Sequence, residues 1–205
     1  MTRKARGKIL SDGCFTHVFS RAIEGRWIFR EDEDFKKFLG FLLESKKAGD
    51  FRVHHYCLMS THFHAVFRLG ELAEFSKSLQ WGKWQYTHYY NLKCKRYGPL
   101  WRERFKSLLI EDERYLAACG QYVEFNPVDA GLVERCEDWA YSSSRCYLKN
   151  EEDPLVDKYS FDGSLPEGID LRDKAYFERG NGIGSALFKF CLKEGISSPC
   201  LSPQR

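Results

Sequence analysis

The stretch that most constrains this chain is residues 56–69, YCLMSTHFHAVFRL, which sets two histidines, His62 and His64, on either side of one bulky apolar residue, Phe63. Alternate side chains of a β-strand point to the same face. As a strand, the stretch therefore projects His62 and His64 together and sends Phe63 the other way, into a core. Two imidazoles on one strand can share a divalent metal, with a third ligand supplied from elsewhere. The competing reading is structural, since a lone His-x-His on a strand is more often surface or core histidine than ligand. His54 and His55 lie close by in sequence, but no Cys or acid completes a good zinc pattern with them.

The flanking elements follow from local patterns. CFTHVFSRA is rich in β-formers and predicts a first strand. Phe35, Phe38, Leu39, Leu42 and Leu43 recur at helical spacing, with Asp32 or Asp34 as the expected cap. Residues 51–59 read as a second strand, Ser60-Thr61 as a tight turn, and residues 62–69 as the returning third strand. Residues 72–91 predict a long amphipathic helix, with Leu72, Phe75, Leu79, Lys83, Tyr86 and Tyr90 on one face. Lys77, Trp81, Trp84 and His88 fall on the other, and two exposed tryptophans there are better explained by packing on another helix or a second subunit than by the alternative, stacking or backbone contact with nucleic acid. Residues 101–110 end in a fourth strand. A helix from about Glu113 follows, with Asp112 as cap and Asn126-Pro127 as its stop, because a residue before proline is biased away from helical geometry. Another short helix is expected over residues 138–148. The order β-α-β-β-α-β-α predicts an α+β, ferredoxin-like fold: an antiparallel sheet of about four strands covered by helices.

Composition narrows the class. At 43% hydrophobic and 16% aromatic, 205 residues suffice for one globular domain with an appendage. The expected division is a domain at 1–148 and an acidic linker and tail at 149–205. No apolar run reaches membrane-spanning length, so no membrane partner is expected. The basic start, MTRKARGKIL, has no signal-peptide character, and a cytoplasmic location is expected. The eight cysteines form no CxxC pair and read as free thiols in a reducing compartment. Residues 1–110 carry 21 Lys+Arg against 11 Asp+Glu, whereas residues 111–205 carry 11 against 18. A basic half around a metal site favours a polyanionic partner, nucleic acid above all. Candidate phosphate contacts are Arg3, Lys4 and Arg6 in the N-terminal arm, Lys83, the loop residues Lys93, Lys95 and Arg96, and Arg102 and Arg104. The charge asymmetry also suggests that the acidic tail covers the basic groove.

Together these residues carry a resemblance. HFH follows a YCLM strand, then come a helix ending YTHYYN, the segment GPLWRERFKS and a helix bearing YVEFNPVDAGLV. This arrangement resembles the single-tyrosine transposases of the HUH nuclease superfamily, most of all the REP-associated tyrosine transposases of bacteria. The likeness runs from about Phe15 to Tyr147. It departs from the family's usual YCLMPNHFH in the turn, where this chain has Ser60-Thr61. The resemblance implies that Tyr122 is the nucleophile and that His62, His64 and Asn126 bind a divalent metal, Mg or Mn. It also implies cleavage and rejoining of single-stranded DNA beside hairpins, through a 5′-phosphotyrosine, by a protein of the nucleoid. Many members act as homodimers. Each residue keeps a plainer reading: Tyr122 as a packed helix tyrosine with Tyr115 as its near double, Asn126 as a helix-end cap. The alternatives to a transferase are an idle relative that binds hairpin DNA without cutting it, and a metal hydrolase of small phosphoesters.

Overall fold

The hairpin predicted around the two histidines forms one edge of the sheet and places its histidine strand inside. In the computed structural model, which describes residues 9–111 and 113–159, β2 (Phe51–Met59) and β3 (His62–Leu69) are antiparallel and joined at Ser60-Thr61. The strand β1 (Phe15–Arg21) pairs antiparallel with β3, and β4 (Lys106–Ile110) pairs with β1. The order β2-β3-β1-β4 is the ferredoxin-like one. No helix of the described residues is long and apolar enough to cross a membrane.

Two helices cover one face. α1 (Asp32–Gly49) and α2 (Leu72–Lys93) pack on each other, and Phe35, Phe38, Leu42, Phe75, Leu79 and Tyr86 point from them into the main core. The strands answer with Val18, Val53, Leu58, Phe63, Ala65 and Phe67, all fully buried. Each of these side chains larger than alanine contributes roughly 1.5–3 kcal/mol through burial. The cap of α1 differs from expectation. Helix entry is at Glu31, while the Asp34 carboxylate accepts from the backbone N–H groups of Arg30 (3.0 Å) and Glu31 (3.4 Å). Trp84 is 60% exposed and Trp81 37%, and no helix of the described residues covers them.

α3 (Glu113–Asp129) lies alone on the opposite face. Leu116, Cys119 and Val123 close a second cluster there with Phe19, Cys57, Met59, Val66 and Ile110. The helix does not stop at Asn126-Pro127 but runs on to Asp129. Proline lacks the N–H that the Val123 carbonyl four residues earlier would accept. The Asn126 side chain substitutes for it, donating Nδ2–H to Val123 O (3.3 Å) and Tyr122 O (2.8 Å). The helix expected over residues 138–148 is only α4 (Ser144–Leu148). Before it the chain runs extended along the outer edge of β2: Leu58 N–H donates to Tyr141 O (2.9 Å) and Ser143 N–H to Tyr56 O (3.0 Å).

Contacts cross the expected boundary at 148. Leu155 is buried in the main core, and Asp157 exchanges bonds with Val53: its N–H donates to Val53 O at 2.7 Å and its Oδ2 accepts from Val53 N–H at 2.9 Å. Residues 149–159 thus pack back on the domain, with Asp157 bonded to the free edge of β2 and Leu155 in the main core. The six cysteines of the described residues are free thiols, four of them buried. The rest of the expected linker and tail, from residue 160 on, and the tail's covering role lie outside the described residues, as do Cys191 and Cys200.

Candidate metal and nucleophile site

The site is built on the α3 face of the sheet by strand alternation. His62 and His64 share that face, and Phe63 points away into the main core against Phe38 and Trp101. The two rings lie 5.1 Å apart between centroids and nearly perpendicular, at 83°. β1 adds His17, Phe19 and Arg21 on the same face by the same period. In the β1–β3 ladder His64 is the direct partner of Phe19, and His62 the direct partner of Arg21. His17 was not a candidate from sequence, yet its Nε2 lies 3.0 Å from His64 Nδ1. His17, Phe19 and Arg21 alternate through HVFSR, but no pattern within that strand says which other strand it meets.

Burial sets the electrostatics. Desolvation pulls His17 and His62 down to about 3, with the Arg21 charge lowering His62 further. His64 is pushed well below its ordinary value, first by burial and then by His62, His17 and Arg21. All three rings are therefore neutral near pH 7, the form in which imidazole ligates metal. Thr61 Oγ1 engages Nδ1 of His62 (2.9 Å), so Nε2 is the ring nitrogen left for a ligand. His64 Nε2 is buried with no hydrogen-bond partner among the described residues. Such an orphan atom is what a missing cation would satisfy.

Tyr122 comes to this cluster from α3. Its ring meets His64 edge-on at 5.6 Å and 88°, and His17 at 6.0 Å and 77°. Asn126 is one turn later on the same helix face. Its amide protons are spent on the carbonyls of Tyr122 and Val123, which leaves Oδ1 as the atom that could face a metal. Among the described residues no cluster of three His, Cys, Asp or Glu side chains is arranged to hold a metal.

α3 is set in place by a buried polar clamp. Glu124 Oε1 accepts from the Ser143 hydroxyl (2.6 Å) and pairs with His55 Nδ1 (2.9 Å), while the His55 ring stacks on Tyr147. Gly120 permits this approach, since a Cβ there would lie 2.5 Å from His55 Nε2. His54 pairs with the Asp157 carbonyl (2.7 Å). Both histidines are thus structural.

The basic candidates divide. Lys83 is buried, with Nζ donating to Ser20 Oγ (2.6 Å) and Glu103 O (3.1 Å) and lying over the Trp101 ring. It sits on the core stripe of α2 and offers no surface contact. Lys93 is held by Glu31, Glu33 and Asp34, and hydrogen bonds to these acids and to Tyr89 raise its pKa. It ties α2 to α1 and is not a free cation. Arg96 is half-buried and bonded to Asn91 Oδ1 and Pro99 O. Lys95, Arg102 and Arg104 are exposed. Arg102 donates its backbone N–H to Arg21 O (2.9 Å), and burial together with the Arg102 charge pulls Arg21 below the usual arginine value, opposed by Tyr122. The Arg21 guanidinium thus lies near His62, His64 and Tyr122, with Arg102 beside Arg21. Arg3, Lys4 and Arg6 lie outside the described residues.

Known proteins share this fold and family. A solved structure described as a REP-associated tyrosine transposase bound to a REP hairpin superposes with a TM-score of 0.61 over 83% of this chain and 99% of that one, at 20% identity. That likeness establishes the fold. A Haemophilus influenzae protein classed as a REP-associated tyrosine transposase is 30% identical over 105 residues, which are 46% of this chain. The aligned region spans 60% of that relative's length. The family model described as "Transposase IS200 like" matches residues 11–126, more than half of the chain and the whole span from β1 to Asn126, and this protein belongs to that family.

Proposed function

We propose that this protein cleaves and rejoins single-stranded DNA beside hairpins, using Tyr122 as nucleophile and a divalent cation, Mg or Mn, held by His62, His64 and Asn126. The observation that carries it is the meeting of Tyr122 with His64, whose outward nitrogen is buried and unsatisfied. Hairpin DNA as substrate is taken from the structural neighbour, which is bound to a REP hairpin.

The chemistry suits the residues. A bound divalent cation draws charge from a phosphate oxygen and so makes phosphorus more electrophilic. Tyrosine, with a pKa of about 10, is a weak nucleophile at neutral pH and needs a substrate so activated. Tyr122 Oη forms a bond to phosphorus, the bond from phosphorus to the 3′-oxygen breaks, and the departing oxygen gains a proton as the phenol loses one. The product is a 5′-phosphotyrosine and a free 3′-hydroxyl. The ester keeps the bond energy, so a second 3′-hydroxyl reverses the step and rejoins a strand. His62, His64 and Asn126 bring no charge to the site, which preserves the cation's pull on the phosphate. Arg21 and Arg102 supply positive charge beside it for the DNA backbone.

The test is incubation of the full chain with labelled single-stranded hairpin DNA from the flanks of its own gene, with Mn²⁺ or Mg²⁺, followed by a denaturing gel. A cation-dependent covalent band, absent in Tyr122→Phe, is expected. Hairpin binding without a band, across DNA spanning both flanks, would leave a binding protein. Phosphoester turnover unchanged in Tyr122→Phe would make it a hydrolase.

A further inference from the structure

We propose that His17 is a positioning residue for His64: it accepts the Nδ1 proton of His64 and thereby turns the Nε2 lone pair of His64 outward to ligate a divalent cation. The inference rests on reading His62 and His64 as metal ligands and assigns the group that prepares one of them.

The geometry is specific. His17 and His64 are both fully buried. They are diagonal neighbours across the β1–β3 ladder, since His17 pairs directly with Val66. Their rings stack at 5.2 Å and 20°, with Nε2 of one 3.0 Å from Nδ1 of the other. Phe19 lies against His64 at 5.7 Å and 25°. The ring of His64 is thus held between His17 and Phe19 and by one hydrogen bond, with His62 and Tyr122 meeting it edge-on. The remaining nitrogens of the pair, His17 Nδ1 and His64 Nε2, are both buried with no hydrogen-bond partner among the described residues.

A neutral imidazole has one N–H and one lone pair, so the bond between the rings allows only two proton arrangements. In the first, His17 Nε2–H donates to His64 Nδ1. The proton of His64 then sits on Nε2, where it blocks ligation, and both outer nitrogens stay unsatisfied. In the second, His64 Nδ1–H donates to His17 Nε2. The Nε2 lone pair of His64 is then open to a cation, and only His17 Nδ1–H lacks a partner. A bound cation thus halves the number of buried unsatisfied nitrogens in the pair, and each such nitrogen is costly to leave unpaired. No proton is gained or lost overall. Ligand histidines ordinarily donate their second N–H to a carboxylate, a carbonyl or water. Here a second imidazole fills that role, without adding charge to a buried site.

Two measurements test it. Long-range proton–nitrogen spectra of the full chain labelled at histidine, with Mg²⁺, should show His64 protonated at Nδ1; a proton on Nε2 overturns the proposal. Mn²⁺ titrations followed by electron paramagnetic resonance should show the dissociation constant raised about 10–100-fold in His17→Phe. His17→Gln, which restores an acceptor, should recover most of that loss, and a purely space-filling role predicts no such recovery. If folded His17→Phe binds Mn²⁺ as the parent does while His64→Ala does not, the metal site stands and the role of His17 falls. If the parent takes up neither cation, the metal reading itself fails and takes this one with it. Should His17→Phe not fold, the spectra of the parent chain still decide.

Discussion

The two faces of the sheet are drawn from alternate residues of the same strands, yet they are made of different chemistry. Toward α1 and α2 the strands present Val18, Phe63, Ala65 and Phe67, and the space is filled by aromatic rings in mutual contact, such as Phe38 with Phe63 and Phe67 with Phe75. Toward α3 they present His17, Phe19, His62 and His64, with two buried nitrogens left unsatisfied. One face supplies stability and the other retains unsatisfied polar groups. The period of two in β3 lets one strand serve both, so a rigid core backs the histidines directly.

The largest effect expected from breaking this contrast is at Phe63. Phe63→Ala should cost about 3–5 kcal/mol, read by urea unfolding, because it opens a cavity in the closed face. His64→Ala, one residue on, should cost less stability but abolish Mn²⁺ binding. Equal losses of stability from the two would mean that the histidine face is ordinary core.

Acid sharpens the same contrast. The unfolded chain protonates its histidines near 6.5, whereas burial holds His17 and His62 at about 3 in the fold and His64 lower than its ordinary value. Between those values the unfolded state binds more protons, so stability must fall as pH falls below about 6.5. The slope should be on the order of 1 kcal/mol per pH unit for each histidine. Melting temperatures between pH 7.5 and 5 measure it, and Mg²⁺ or Mn²⁺ should oppose the loss. A flat profile would show that these rings titrate normally.

A smaller effect separates two roles of Asn126. Asn126→Ala should cost about 1–3 kcal/mol by leaving the Val123 carbonyl without a donor. Adding Pro127→Ala returns a backbone N–H to that carbonyl and should recover most of the stability. If Asn126 is also a ligand, the double variant remains weak in Mn²⁺ binding.

The smallest concerns charge. Arg102→Ala should lower the salt dependence of single-strand binding by about 0.7 in the log–log slope, one phosphate's share. Lys83→Met should leave that slope unchanged, because Lys83 lies inside the closed face. A drop from Lys83→Met would mean that this lysine reaches DNA after all.

Local pattern told the two lysines apart poorly. Lys83 shares the apolar stripe of α2 with Leu79 and Tyr86, so its position argues for the core while its charge argues for the surface. Lys93 looked like a loop cation because its acidic partners lie about 60 residues earlier, on α1. The extension of α3 past Pro127 was hidden for a similar reason: proline removes a donor, but only the folded geometry shows Asn126 replacing it.

What the sequence determined by itself was local. Alternation around Phe63 placed His62 and His64 on one face, helical spacing placed Tyr122 and Asn126 together, and the order of elements implied the sheet, since each depends on a backbone period read within a few residues. The tertiary structure alone decided which groups from different strands meet. His17 reaches His64 across 47 residues because β1 pairs with β3 in one register, and a slip of one residue would turn His17 to the other face. Arg21 arrives opposite His62 by the same register. Pairing of that kind is fixed by the packing of the whole sheet, which no short stretch of the chain encodes.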